Sequence, residues 1–195
     1  MSDSVLGVFE QTGAYLRGHF RLTSGLHSPE YLQCAKVLQY PVHAAEFGAA
    51  LAREFEKLIG GRKVDVVASP AMGGLIIGHE AARSMGARFI FTERDSDGRM
   101  ILRRGFVVDP GEVVLVVEDV VTTGGSSVEV IRLLQQMGAE VVAAGSIIDR
   151  SGGKADVGIP RVALATLEAT AWNPEVCPLC QEGSPVVKPG SRNVA

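Results

Sequence analysis

The sequence VVLVVEDVVTTGGSS, residues Val113 to Ser127, joins an apolar run to two adjacent carboxylates and then to hydroxylated residues and glycines. The apolar run predicts a buried strand, since near-continuous hydrophobic residues are typical of a parallel sheet covered on both faces. A buried strand tolerates no unpaired charge, so Glu118 and Asp119 are expected where the strand surfaces at its carboxyl end. In an open parallel sheet, ligands bind at that edge.

Residues 122–127 connect this strand to a predicted helix and have the composition of an anion-binding loop. Glycines let the backbone approach a ligand, and the amides and positive dipole at the start of a helix favour an anion such as a phosphate monoester. No lysine lies between Lys63 and Lys154, which excludes a nucleotide P-loop here. The alternative is an ordinary strand-to-helix turn that Ser126 caps.

Strands alternate with helices on both sides of this segment, which predicts an α/β fold with a parallel sheet flanked by helices. The predicted strands are residues 64–69, 87–93, 112–119 and 139–149, and the predicted helices are 41–59, 124–138 and one from the loop PAMGG to about Met85. An N-terminal helix is expected over Asp3 to Leu16, with short strands at Phe20 to Leu22 and Tyr31 to Gln33.

Length and composition indicate one domain, 1–195, of an ordinary globular protein. The net charge of −3 and the absence of a broad basic face speak against nucleic-acid and membrane partners. The N-terminus lacks the basic and apolar regions of an export signal, and three cysteines are too few for a disulfide framework. We therefore expect a cytoplasmic protein.

Residues Val113 to Ser127 resemble the phosphoribosyl-pyrophosphate motif of the type I phosphoribosyltransferases. The resemblance implies that Glu118 and Asp119 contact the ribose and stabilise positive charge developing on it, while the loop holds the 5-phosphate through Thr122, Thr123, Gly124, Gly125 and Ser126. It implies the fold of that family, with a parallel-sheet core at 41–168 and a small hood made of the N-terminal segment 1–40 and the C-terminal tail 169–195.

Further segments resemble the branch of this family that uses orotate, namely FRLTSGLHSPEYLQ at 20–33, SPAMGGLIIG at 69–78, ERDSDGRMILRRGF at 93–106 and IIDRSGG at 147–153. The implied reaction transfers the 5-phosphoribosyl group from phosphoribosyl pyrophosphate to N1 of orotate, giving orotidine 5′-phosphate and pyrophosphate in pyrimidine nucleotide biosynthesis. The implied pyrophosphate contacts are Ala71, Met72, Gly73 and Gly74, and the implied orotate contacts are Arg150, Thr122, Ser24, Gly25 and Tyr31.

A planar guanidinium can hold a carboxylate through two parallel hydrogen bonds, and orotate, unlike a purine base, carries a carboxylate. This makes Arg150 the candidate specificity residue. The alternative is a surface pair between Asp149 and Arg150, or a solvated Arg150.

The better-known enzymes of this branch carry lysines at positions where this chain has Thr23, Gly73 and the lysine-free stretch 93–100. Arg94 and Arg99 are therefore the candidates for closing over the pyrophosphate, and the alternative is an exposed charged loop. The resemblance also implies Mg²⁺ held mainly by substrate oxygens, and a homodimer in which the mobile loop 93–104 reaches the neighbouring site.

Two other functions remain open from the sequence: a phosphoribosyltransferase for a purine base, and a non-catalytic regulator that senses phosphoribosyl pyrophosphate. Cys177 and Cys180 have the spacing of half a zinc site, but a closed site needs two more ligands and no second such pair exists. Cys34 or histidines could complete it only through folding, so no protein metal site is predicted.

Overall fold

The computed structural model describes residues 2–22, 24–168 and 170–189. Its helices are α1 (Ser2–Gln11), α2 (Cys34–Leu38), α3 (Pro41–Ile59), α4 (Gly74–Met85), α5 (Gly125–Gln136) and α6 (Pro178–Gln181), with a 3₁₀ turn at Pro174–Val176. Its strands are β1 (Tyr15–Arg21), β2 (His27–Leu32), β3 (Val66–Pro70), β4 (Arg88–Arg94), β5 (Met100–Leu102), β6 (Val113–Val121), β7 (Glu140–Asp149) and β8 (Arg161–Thr166).

The main sheet has the strand order β5-β4-β3-β6-β7-β8. Its strands are parallel except β5, which pairs antiparallel with β4 at the sheet edge. In the centre, Val114 and Val116 of β6 face the core beneath α5, whereas Leu115 and Val117 face the core shared with α3 and α4. The predicted α/β fold with helices on both faces is therefore confirmed.

The central elements begin and end where their sequence signals place them. Helix α3 has Pro41 in its first turn, where the missing amide costs nothing, and ends at Gly60, which adopts a left-handed φ of 65°. Strand β6 runs two residues beyond its predicted end because Val120 and Val121 remain paired with β7. Glu118 and Asp119 therefore lie near the carboxyl end of the strand, as expected, and the pairing continues for two residues beyond them.

The N-terminal predictions need a larger correction. The predicted helix 3–16 ends at Gln11, since Gly13 turns the chain with a φ of 62°, and Leu16 lies in β1 opposite Tyr31 of β2. Strands β5 and β8 are not in the prediction. They have three and six residues, respectively, too few for a clear alternating pattern, and their pairing with neighbouring strands determines that they form.

The β1–β2 hairpin and residues 170–189 form a second layer, called here the hairpin–tail layer. The backbone amide of His27 donates to the carbonyl of Trp172 at 2.9 Å, and the amide of Val187 donates to the carbonyl of His19 at 2.8 Å. The tail thus adds to both strands of the hairpin, although its composition predicts an irregular segment. In the described part of the chain, no helix has both the length and the apolar character needed to cross a bilayer.

Candidate active site

A cavity of about 910 Å³ opens at the carboxyl ends of β3, β6 and β7, beneath the hairpin–tail layer. The structure brings most of the predicted site residues to its wall, although they come from five separate stretches of the chain. Those lining the cavity are Ser24, Tyr31, Met72, Gly73, Glu118, Asp119, Thr122, Thr123, Gly124, Gly125, Ser126 and Arg150. Gly25, Ala71, Gly74, Arg94 and Arg99 do not line it.

The two carboxylates on β6 form the acidic side of the cavity. The pKa of Glu118 is raised to about 7, mainly by burial and in part by the neighbouring Asp119, while a hydrogen bond from the Ser127 hydroxyl and the charge of Arg94 oppose the shift. That hydroxyl donates to Oε2 of Glu118 at 2.5 Å. Burial also raises the pKa of Asp119. Among the described residues neither carboxylate has a salt bridge, so both are available to a ligand.

The loop between β3 and α4 approaches the acidic pair closely. A Cβ on Gly73 would lie 2.4 Å from Oδ1 of Asp119, so only glycine leaves that carboxylate in place. A Cβ on Gly74 would instead lie 2.8 Å from Cβ of Ser69, which makes Gly74 a helix–sheet packing residue. The peptide between Ala71 and Met72 is cis. The two glycines therefore serve different purposes, one at the cavity and one behind it.

The loop between β6 and α5 has the geometry expected of an anion site. Gly124 caps the helix with a left-handed φ of 82° and has no side chain to bond the first-turn amides, and the amide of Gly125 makes a long hydrogen bond of 3.5 Å to the Thr123 hydroxyl. A Cβ on Gly124 would also meet Val157 at 2.8 Å. The alternative in which Ser126 caps the helix is therefore wrong, because Gly124 holds that position, and the first residues of the helix, Gly125 and Ser126, line the cavity.

Arg150 follows β7 and is 7% exposed. Its Nη2 donates to the Ser28 hydroxyl and to the Glu30 carbonyl, both at 3.3 Å. Its Nε is buried and has no acceptor among the described residues. Burial lowers the pKa of Arg150, as expected for a cation held away from water. A buried guanidinium with a free donor is suited to bind an anion.

The alternative for Arg150, a surface pair with Asp149, is wrong. Asp149 accepts hydrogen bonds from Ser151 and, at 2.8 Å, from Nη2 of Arg161. These partners lower the pKa of Asp149 against the effect of its burial. Because Arg161 neutralises Asp149, Arg150 is left to face the cavity.

The turn between β1 and β2 places polar and aromatic groups over the cavity. Gly25 has a left-handed φ of 86° and its amide donates to the carbonyl of Leu22, so it shapes the turn and does not reach the cavity. The Tyr31 ring lies 5.9 Å from that of Phe20. Burial raises the pKa of Tyr31. Thr23 lies outside the described residues.

Sequence reasoning missed the apolar wall of the cavity. The additional lining residues are Leu22, Leu32, Gln33, Cys34, Ala35, Leu38, Leu75, Ile76 and Val120. Several of them are close in sequence to Tyr31 or to the loop at Gly73, and this proximity could have identified them as cavity residues. The sequence of helix α2 contains no such signal, because its five residues have no cap and no periodic pattern and resemble a loop.

The predicted mobile loop forms an antiparallel hairpin of β4 and β5. The Asp95 carboxylate closes its turn by accepting from the amides of Asp97 and Arg99. Arg94 donates to both carboxylate oxygens of Glu129 on α5, at 2.8 and 3.1 Å. The Arg99 side chain is 77% exposed and its nearest carboxylate, Asp97, is 3.7 Å away. Neither arginine reaches the cavity in this conformation.

Comparisons with known proteins agree with this geometry. A family model described as "Phosphoribosyl transferase domain" matches residues 36–180. The chain is 50% identical over 192 residues to an orotate phosphoribosyltransferase of Desulforamulus reducens, covering 98% of each chain. It is 52% identical over 187 residues to an orotate phosphoribosyltransferase of Thermotoga maritima, covering 96% of this chain and 97% of that one.

Solved structures show the same fold. The orotate phosphoribosyltransferase of Aeropyrum pernix superposes with a TM-score of 0.65 at 26% identity, over 84% of this chain and 94% of that chain. An adenine phosphoribosyltransferase superposes with a TM-score of 0.63 at 16% identity, over 80% and 98% of the two chains, which shows the fold alone. With its fold and the match to residues 36–180, this chain belongs to the phosphoribosyl transferase family, of type I.

Proposed function

We propose that this protein transfers the 5-phosphoribosyl group of phosphoribosyl pyrophosphate to N1 of orotate, releasing pyrophosphate and forming orotidine 5′-phosphate. The observation that carries the proposal is the buried Arg150, whose Nε has no partner among the described residues, in the same cavity as Glu118 and Asp119. Relatives named orotate phosphoribosyltransferase, about half identical over nearly the whole chain, support it.

In this proposal, the carboxylates of Glu118 and Asp119 stabilise positive charge on the ribose. When the bond at C1 breaks, the ribose acquires positive charge, much as in glycoside cleavage. Glu118 and Asp119 lie next to the anion loop, so a phosphate bound at Thr122 to Ser126 brings its ribose to them. Charges fixed in place stabilise the cationic transition state more than the neutral ground state, which lowers the barrier.

Arg150 binds the base in this proposal. Its guanidinium is held by Ser28 and Glu30 on β2, while its Nε, which has no acceptor in the described part of the chain, is a donor for the orotate carboxylate. An anion at this position compensates the cost of burying the cation. Tyr31, which also lines the cavity, offers a flat apolar surface to a planar ring.

Mg²⁺ fits this site as a partner of the substrate. Glu118 and Asp119 are the carboxylates among the described cavity residues, and two carboxylates are too few for an all-protein cage. Substrate oxygens and water would supply most ligands, with the two carboxylates nearby. Bound Mg²⁺ would neutralise charge on the leaving pyrophosphate.

The β4–β5 hairpin is the proposed source of further positive charge. Arg150 is the cation among the described cavity residues, although pyrophosphate carries several negative charges. Arg99 is exposed at the hairpin tip and is free to approach a ligand. We therefore retain Arg94 and Arg99 as candidate catalytic residues, Arg99 acting across a homodimer on the neighbouring cavity.

The cytoplasm is the proposed compartment. The chain's three cysteines all fall in the described ranges and none forms a disulfide, which suits a reducing environment.

The deciding experiment follows the ultraviolet absorbance of orotate with the protein, Mg²⁺ and phosphoribosyl pyrophosphate. We expect orotate to be consumed, and Arg150→Gln to lower kcat/KM for orotate by about 100-fold or more, since a bidentate charged contact is lost. The control is Arg83→Gln, an exposed arginine of α4 paired with Glu80, which should leave kcat/KM unchanged.

Two results would replace the proposal. Consumption of adenine or hypoxanthine in place of orotate would make the protein a purine phosphoribosyltransferase. Binding of phosphoribosyl pyrophosphate, measured by calorimetry, without consumption of any base would make it a sensor of that metabolite.

A further inference from the structure

Two imidazoles and two thiols meet in the hairpin–tail layer, outside the cavity. The side-chain ligand atoms of His19, His27, Cys177 and Cys180 all lie within 4.8 Å of one another. We propose that these four side chains form a structural zinc site. The proposal does not depend on the proposed reaction, because none of the four residues lines the cavity.

Three sulfur-to-nitrogen distances in the cluster match the edges of a zinc tetrahedron. With Zn–S near 2.3 Å and Zn–N near 2.0–2.1 Å, tetrahedral angles give sulfur-to-nitrogen separations of about 3.5 Å. Sγ of Cys177 lies 3.5 Å from Nε2 of His19, and Sγ of Cys180 lies 3.7 Å from Nε2 of His19 and 3.3 Å from Nδ1 of His27. The two ring nitrogens are 2.8 Å apart and need to separate by only about 0.5 Å.

Proton positions favour a cation over a hydrogen-bonded network. A carbonyl oxygen can only accept, so Nδ1 of His19 donates to the Ser184 carbonyl at 2.8 Å and carries the ring proton. Nε2 of His19 then has one lone pair, yet His27 and both thiols approach it. One lone pair cannot accept three good hydrogen bonds. Two thiolates and two neutral imidazoles around Zn²⁺ satisfy every group, with release of two thiol protons.

The Ser184 carbonyl acts as the outer partner that metal-bound histidines usually have. A hydrogen bond on the far ring nitrogen fixes the tautomer and the ring orientation of the ligand. Here it holds Nε2 of His19 towards the cluster. His19, His27 and Cys177 are at most 6% exposed, whereas Cys180 is at the surface and leaves the ion a path of entry.

The ligand set selects zinc. Two sulfurs and two nitrogens in a tetrahedron suit Zn²⁺, and four protein ligands leave no open position for a reacting water. Cys177 and Cys180 are separated by two residues, which is a spacing typical of structural zinc sites. The amide of Cys180 donates to the carbonyl of Cys177 at 3.1 Å and closes the turn between them. The site is therefore closed and structural.

The zinc site joins segments that are distant in the chain. His19 lies on β1, His27 begins β2, and the two cysteines flank the start of α6 in the tail. Backbone hydrogen bonds from Val187 to His19 and between His27 and Trp172 already align the tail with the hairpin. Zinc locks this alignment, which a small layer with few buried side chains needs for stability.

The first test measures metal bound to the full-length protein, purified without chelator and supplied with Zn²⁺. We expect about one zinc per chain by elemental mass spectrometry, and less than about 0.1 in Cys177→Ser and Cys180→Ser. Cys34→Ser is the matched control, since Cys34 is a buried free thiol outside the cluster, and it should keep its zinc.

Cobalt replacement gives a readout that does not need the variants to fold. Co²⁺ added to the metal-free wild-type protein should produce intense visible bands of tetrahedral thiolate coordination, and chelation of zinc should lower the melting temperature. Zinc near background in the supplied wild type, no cobalt bands, or equal loss of zinc in Cys34→Ser would each overturn the proposal. A Cys177–Cys180 disulfide that forms in the presence of excess zinc would overturn it as well.

Discussion

The sheet edge and the hairpin–tail layer build the same cavity in opposite ways. At the sheet edge, Glu118, Asp119 and the anion loop are neighbours in sequence, and one strand and one helix position them. In the hairpin–tail layer, contacts join residues as far apart as His19 and Cys180, which are 161 positions apart. The first region is a local motif on a rigid scaffold, whereas the second exists only when distant segments meet.

This difference assigns separate tasks to the two regions. The sheet edge carries groups suited to a phosphorylated sugar, and its core residues are fully buried. The hairpin–tail layer orients Arg150 through Ser28 and Glu30 and so influences binding of the base. Substitutions at the sheet edge should therefore lower activity with every substrate, whereas substitutions in the hairpin–tail layer should weaken binding of the base.

The largest expected effect comes from Gly73→Ala at the sheet edge. The new Cβ would lie 2.4 Å from Oδ1 and 2.7 Å from the carboxyl carbon of Asp119, so the carboxylate or the loop must move. A displacement of this size should lower kcat/KM for phosphoribosyl pyrophosphate by about 100-fold, whichever base is supplied. Steady-state kinetics would measure it.

Gly7→Ala is the matched control, because nothing lies within 4 Å of a Cβ at Gly7 of α1. It should leave the kinetics unchanged. If Gly73→Ala were as active as Gly7→Ala, the close approach of the loop to Asp119 would have no role in activity.

The next effect concerns pH. If the reaction needs ionised Glu118, whose pKa burial raises to about 7, kcat/KM should rise about fivefold between pH 6 and pH 7, rise about twofold more by pH 8 and then level off. Initial rates across pH 5.5–8.5 would measure it. Glu118→Gln should lose this rise along with most of its activity, and an unchanged profile in that variant would assign the titration to another group.

The same shift has a consequence for stability. Burial favours the neutral acid in the folded state, so this contribution is full below the ordinary value of 4.5 and is lost as pH rises towards 7. The free energy of unfolding should therefore fall with rising pH relative to Glu118→Gln, by at most about 3 kcal/mol. Urea denaturation of both proteins at pH 5 and pH 8 would measure the difference.

The smallest effect is expected in the hairpin–tail layer. Ser28→Ala removes the hydroxyl that accepts from Nη2 of Arg150 and donates to the Thr170 carbonyl at 2.9 Å. The guanidinium keeps the Glu30 carbonyl, so KM for orotate should rise only about fivefold, with KM for phosphoribosyl pyrophosphate unchanged.

Ser84→Ala, an exposed serine of α4, is the control and should change neither constant. A rise of both KM values in Ser28→Ala would show that the two regions are not separable in the way their construction suggests.

The predictability of the site follows the same division. Val113 to Ser127 could be interpreted from the sequence because its strand, carboxylates and loop are contiguous and each residue type has one physical role there. The end of the N-terminal helix at Gln11 was missed, as helical spacing in Val5 to Leu16 continued through a turn that Gly13 makes. The conformation of the β4–β5 hairpin was also missed, because pairing between Thr92 and Leu102 decides it.

The sequence by itself determined the α/β alternation, the anion loop and the position of the acidic pair, because these depend on local periodicity and local chemistry. Only the tertiary structure decided that Asp149 pairs with Arg161 and leaves Arg150 facing the cavity. Only the tertiary structure placed His19 and His27 against Cys177 and Cys180. The first arrangement depends on the pairing of β8 with β7 and the second on contacts between the hairpin and the tail across more than a hundred residues, and no local pattern records either.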